Sequence, residues 1–154
     1  MSADGLGRQS AHCSRRDWPA GVVASAFGAI TIPPAVLAEI APSISDRPGW
    51  FVVQPLAQPE PARLQSSGLG RGEREALSLS LELHAERVIL DDRPARRLAQ
   101  ELGLPVIGTL GILLAAKRRG LLERVEPSLE DLRNRRFFIA PKLYEHILEL
   151  ARET

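Results

Sequence analysis

Cysteine is almost absent from this chain: of 154 residues only Cys13 carries a thiol. One copy therefore has no disulfide framework and no cysteine-built zinc site. Long apolar runs are missing too. None reaches the ~18 to 20 residues that a membrane-spanning helix needs, and the opening MSADGLGRQS has no apolar core of a signal peptide. A reducing cytoplasm is the expected compartment. Net charge is nearly absent, at +1, which removes any global electrostatic case for a nucleic-acid binder. Lysine is scarce, since of 20 basic residues all but Lys117 and Lys142 are arginine. Arginine suits bidentate phosphate contacts. No internal repeat is evident at the usual repeat periods. What remains, 44% hydrophobic and 25% charged, fits one ordinary globular domain.

Residues 1–20 show no apolar periodicity and are rich in Gly, Ser and Arg, so they read as a loose tail before a domain over 21–154. Val22, Val23, Ala26 and Phe27 suit the buried side of a short helix that Gly28 ends. Residues 29–32 read as a strand, stopped by Pro33-Pro34, which open a helix through Ile40. Residues 50–53 form a second strand near a sheet edge, and the proline-rich stretch 54–70 is a connector. From Gly72 the pattern is ambiguous. Leu77, Leu79, Leu81 and Leu83 alternate as in a strand, yet Glu73, Glu75, Ala76 and Glu82 are strong helix formers. Helix is the expectation, because a strand must then begin near Arg87 with no turn signal between. Val88-Ile89-Leu90 is a buried parallel strand ending in Asp91-Asp92. Ala95, Leu98, Ala99 and Leu102 mark an amphipathic helix. Residues 104–107 form a strand that the proline places near an edge. Helices follow from Thr109 to Gly120, from Ser128 in a capping-box-like spacing, and from Pro141, with Leu143, Tyr144, Ile147, Leu148 and Ala151 inward. About four strands alternating with six helices predict a three-layer α/β/α sandwich around a parallel sheet.

Open α/β sheets bind ligands outside the carboxyl ends of their strands. The acids that can gather there are Glu39, Glu73, Asp91 and Asp92, with Glu75 a lesser candidate. Carboxylates are the oxygen ligands that magnesium takes, and several converging acids are what a metal-dependent nuclease needs. Each also has a plainer reading: Asp92 as a helix N-cap beside Pro94, Glu39 and Glu73 as solvated helix positions. Arg93, Arg96 and Arg97 lie close to the acidic pair and suit a phosphate backbone. Thr109, between two glycines, suits a phosphate or simply a tight packing turn. Lys117 to Arg119 answer a helix dipole. His12, His84 and His146 are scattered and read as surface or core positions. The Gly108-Thr109-Leu110-Gly111 turn is no dinucleotide fingerprint.

Ile32-Pro33-Pro34-Ala35-Val36 with Glu39, then Gly72-Glu73-x-Glu75-Ala76-Leu77, Leu90-Asp91-Asp92-x-x-Ala95-Arg96, and Gly103-Leu104-x-Val106-x-Gly108-Thr109-Leu110-Gly111 with Lys117 and Gly120, together resemble the prokaryotic PIN-domain family. The likeness is to its short, predicted nucleic-acid-binding subgroup, and it runs from about Phe27 to the C-terminus. It implies a magnesium- or manganese-dependent endoribonuclease like the toxin halves of VapBC-type toxin–antitoxin pairs. RNA, an antitoxin protein and a second copy in a homodimer are the implied partners. The family's acidic cluster maps onto Glu39, Glu73 and the Asp91-Asp92 pair, with Asp92 the favoured metal ligand. One departure matters. The family opens with an apolar strand ending in Asp-Thr-Ser-Pro or Asn-Thr-Ser-Pro, whereas this chain has MSADGLGRQSAHCSRRDW. The first strand and its aspartate are expected to be missing or degenerate, with metal binding impaired and apolar burial worth ~25 cal/mol per Å² forfeited. A catalytically inactive PIN-like module that binds an antitoxin or RNA is the alternative function. A receiver-like phosphotransfer domain is a third reading, and it lacks the separate phosphoacceptor aspartate and the following lysine.

Overall fold

The computed structural model describes residues 9–11, 26–43, 49 and 51–154. The element order is β1 (Gln9–Ala11), β2 (Ile30–Ile32), α1 (Pro34–Ile40), a 3-10 turn (Ala41–Ser43), β3 (Phe51–Val53), α2 (Ala62–Gln65), α3 (Arg71–Leu83), β4 (Arg87–Ile89), α4 (Arg93–Glu101), β5 (Val106–Ile107), α5 (Thr109–Arg118), α6 (Glu126–Asn134) and α7 (Pro141–Leu150). Five strands form one parallel sheet in the order β3-β2-β1-β4-β5. The α/β class and the parallel sheet are as the sequence predicts. The first strand, expected to be missing or degenerate, is present in short form: Gln9–Ala11, inside the stretch that reads as a tail, is the middle strand, with Ser10 opposite both Thr31 and Val88. At three residues it is short, and the sheet is not interrupted as the expected strand loss required. His12, Val22, Val23 and Trp50, to which the sequence reading assigns places, lie outside the described residues.

Two units divide the chain. Among the described residues the first holds 9–11 and 27–108, and the second holds Ala26 and 109–154. In the first, β4 is covered on both faces, which explains why Val88, Ile89 and Leu90 are all fully buried rather than alternating. Val88 and Leu90 share a core with Leu77 of α3 and with Ala95 and Ala99 of α4, and Leu98 and Leu102 pack against it. The 77–83 alternation resolves as helix. Ser78 and Ser80 are buried between the leucines, and each hydroxyl donates to the carbonyl four residues back, Arg74 O at 2.8 Å and Ala76 O at 2.7 Å. That bond satisfies a hydroxyl which burial would otherwise penalise. His84 then ends α3 with φ 48°. Strands β3 and β5 lie at the sheet edges, as expected. The connector before α3 holds one element the sequence does not reveal, the four-residue α2.

The second unit is helical. Leu113, Val125, Leu129, Leu132, Ile139, Ile147 and Ala151 form its core. Leu143, expected inward, is 41% exposed, because the α7 stripe runs through Tyr144, Ile147, Leu148 and Ala151 instead. α6 starts at Glu126, two residues before the expected Ser128. Its first amides are capped from a distance. Glu153 accepts from Val125 N at 2.5 Å, from Glu126 N at 2.9 Å and from Lys117 Nζ at 2.7 Å. Burial pushes the Glu153 carboxyl up. The Lys117 hydrogen bond, the two amides and the Lys117 charge outweigh it and hold the group below its ordinary 4.5.

Candidate functional site

All strands run the same way, so their carboxyl ends share one edge of the sheet. The chain winds outward from β1 in one direction through β2 and β3, then in the other through β4 and β5. The reversal lies at β1 and β4, and such a switch point is where an open α/β sheet accepts ligands. Just past β4 come the exposed Asp91 and Asp92. Asp92 caps α4, its Oδ2 accepting from Ala95 N at 3.2 Å. The plainer of its two readings is therefore realised. Asp91 lies beside Gly108, the residue that follows β5. A β-carbon at Gly108 would stand 3.1 Å from Asp91 Oδ1 and 2.6 Å from Arg96 Nη1. Glycine here leaves room for both side chains.

At the end of β2 the chain passes through Pro33 into α1. Proline at the first helical position removes one amide, so Ala35 N is an early donor that needs a partner. It finds Glu75 of α3, whose Oε2 accepts at 3.2 Å while Oε1 accepts from Arg71 Nε at 3.0 Å. In return α1 supplies Glu39, whose Oε1 accepts from Gly72 N at 3.2 Å in the first turn of α3. The two helices thus run antiparallel and exchange carboxylates. Glu73 Oε2 accepts from Gly70 N at 3.1 Å, so Glu39 and Glu73 each bond an amide at the start of α3. Gly72 is obligatory for this. A β-carbon there would lie 2.7 Å from the Glu39 carboxyl carbon and 2.8 Å from Oε2.

The structure thus brings Asp91 and Arg96 together beside Gly108, and it bonds Glu39 and Glu73 to separate amides at the start of α3. Glu75, the lesser candidate from sequence, stands at the carboxyl end of β2, across β1 from Asp91. Its sequence signal is the Glu73-x-Glu75 spacing. Arg93 and Arg97 line a separate cleft against α2. Thr109, at the start of α5, is only 3% exposed, which leaves it little surface for RNA. Two carboxylates match the one or two that magnesium ordinarily takes from a protein, with water and phosphate completing its shell. They do not amount to the larger acidic cluster that the resemblance implies. Among the described residues no group of three or more His, Cys, Asp or Glu side chains is arranged to hold a metal ion. No helix among them is long and apolar enough to cross a membrane.

A family model described as a PIN domain (DUF3368) matches residues 20–153. Neither the curated proteins nor the solved structures contain a match.

Proposed function

The chain belongs to the PIN-domain family, a nuclease-type fold, and from that premise we propose that it is a divalent-metal-dependent endoribonuclease acting on single-stranded RNA. The observation that supports the reading is that Glu39 and Glu73 both reach the first turn of α3. Two acids 34 positions apart come to one helix start, and Gly72 omits its side chain where the Glu39 carboxylate lies. Magnesium or manganese is the ion the pair suits. When bound, it would activate water and stabilise charge on the phosphate under attack. Asp91 at the sheet edge is a further acid of the site, Glu75 holds α1 through Ala35 N, and Arg96 supplies a cation for RNA phosphate. Asp92, whose Oδ2 caps α4, joins the set through its other carboxylate oxygen.

The test is cleavage of a single-stranded RNA by the full chain with magnesium or manganese, beside Glu39→Gln, Asp91→Asn and Asp92→Asn. Loss of cleavage in Glu39→Gln and Asp91→Asn is expected. Wild-type rates in both, or no metal-stimulated cleavage by the parent, count against the reading. A role as the toxin of a toxin–antitoxin pair, working as a homodimer, follows from the same resemblance. It predicts growth arrest on expression and rescue by a neighbouring gene product. The second reading, an inactive module that binds an antitoxin or RNA, is favoured by β1. Its three residues, Gln-Ser-Ala, bring no acid to the middle of the sheet. Calorimetry with manganese separates the two, since stoichiometric binding supports the enzyme.

A further inference from the structure

Beyond the acids, one cleft of about 470 Å³ lies between the α2 region and α4. Three guanidiniums, from Arg63, Arg93 and Arg97, border it, against one carboxylate, Glu101. Arg93 and Arg97 are four residues apart on α4 and so project from one face. Neither makes an ion pair with any described residue. Arg63 is held differently: its Nη2 donates to Glu101 Oε2 at 2.5 Å, and both side chains are about half exposed. Leu69, Pro94 and Leu98 give the cleft an apolar floor. The volume suits a group of nucleotide size. Planar guanidiniums over an apolar surface match a phosphate flanked by a sugar or base. The helix start has little to offer an anion, because Asp92 already occupies Ala95 N and Pro94 has no amide hydrogen. The recognition therefore falls to the arginine side chains. Arg93 is two residues from Asp91, so a strand bound at the sheet edge reaches this cleft within one or two nucleotides.

We propose that the cleft is a phosphate-binding subsite for single-stranded RNA, built by Arg93 and Arg97, with Glu101 holding Arg63 back from the ligand. The proposal rests on the nucleic-acid reading of the family but not on cleavage. Arginine binds phosphate by paired charge-assisted hydrogen bonds. An exposed Arg63–Glu101 pair is weak and screened by solvent, so removing its acid frees a third guanidinium rather than unfolding the chain.

The experiment is fluorescence anisotropy of the full chain with a 3′-labelled oligouridylate, in EDTA so that no metal chemistry contributes. Arg93→Gln/Arg97→Gln is expected to weaken binding about 10-fold and to flatten the salt dependence by roughly 0.7 in log–log slope for each phosphate that is no longer neutralised. Glu101→Gln is expected to tighten binding by about 3-fold, a gain that a merely structural role for Glu101 would not produce. Inorganic phosphate should compete. A 5′-phosphorylated oligonucleotide that binds better than its 5′-hydroxyl twin assigns the cleft to a chain end, and equal binding assigns it to an internal phosphodiester. Unchanged affinity and slope in the double variant overturns the proposal, as does weaker binding by Glu101→Gln, or a polyglutamate peptide that displaces RNA as well as phosphate-bearing competitors do. Loss of cleavage with this binding intact would sink only the nuclease reading.

Discussion

Replacing Gly72 with alanine separates the positioning of Glu39 from stability. The new β-carbon would stand 2.7 Å from the Glu39 carboxyl carbon, whereas carbon atoms rest at ~3.5 to 4.0 Å. The carboxylate must withdraw by about 1 Å, and it does so cheaply because it is the far end of an exposed side chain. Withdrawal removes the hydrogen bond to Gly72 N, a loss of ~1 kcal/mol. Alanine in a helix regains up to ~1 kcal/mol over glycine. The two nearly cancel, so the thermal midpoint should move by no more than a few degrees. Activity should respond differently, because a misplacement of about 1 Å near the chemistry can cost on the order of 100-fold. The assay pairs thermal melts with metal-stimulated RNA cleavage. If the parent shows no cleavage, manganese calorimetry replaces it. Glu39→Gln, which keeps an oxygen acceptor for Gly72 N but removes the charge, should match Gly72→Ala in activity. A folded Gly72→Ala chain with parental cleavage and metal affinity would show that the Glu39 position serves the helix start alone.

Three further outcomes follow from the geometry. Gly108→Ala should displace Arg96 and Asp91, which border the missing β-carbon at 2.6 and 3.1 Å, and lower cleavage by about 10-fold or more with a small change in melting. Asp92→Ala should cost ~1 kcal/mol of stability, while Asp92→Asn, an equally good N-cap, should cost almost none. Any activity lost in Asp92→Asn then reports ligand chemistry rather than capping. The Glu153 carboxyl is held below its ordinary value, so its stabilisation is complete above that value and fades as pH falls through the lower folded one. Melts from about pH 6 to pH 3 should show the parent losing stability below about pH 4.5. Glu153→Gln should be weaker at neutral pH by ~2 kcal/mol or more and flatter across that window.

Much of the fold is legible because local chemistry determines it. α4 carries its own N-cap in Asp92 and its apolar spacing in Ala95, Leu98, Ala99 and Leu102. Gly28, Gly103 and Gly120 sit where helices end, each with positive φ. β1 is not legible. Gln-Ser-Ala has neither β-branched residues nor alternation, and it is a strand because its backbone pairs with β2 and β4 on either side. Lys117 reads from sequence as a reply to the α5 dipole; it also donates to Ala151 O and to the buried Glu153, partners 34 and 36 residues on. No local pattern announces either bond.

The acids show why a site is harder to read than a helix. The residues at the N-cap positions of α1, α3 and α6 are Pro33, Gly70 and Val125, none of which can cap with its own side chain. Each helix start is served instead by a carboxylate from elsewhere: Glu75 for α1, Glu39 for α3 and Glu153 for α6. An acid recruited to a helix start and an acid recruited to a metal leave the same trace in a sequence, a lone Asp or Glu far from its partner. Glu153 has both oxygens committed to amides and is buried, so it is structural. Glu75 also has both engaged, one by Ala35 N and one by Arg71. At Glu39 and Glu73 the amide bonds fall on Oε1 and Oε2 respectively, and the two groups share one helix turn. A carboxylate oxygen pair offers about four acceptor directions, so capping and metal binding are compatible there. Capping therefore leaves Glu39 and Glu73 among the candidates for a cation, and Glu75 is the residue that keeps α1, and with it Glu39, in place.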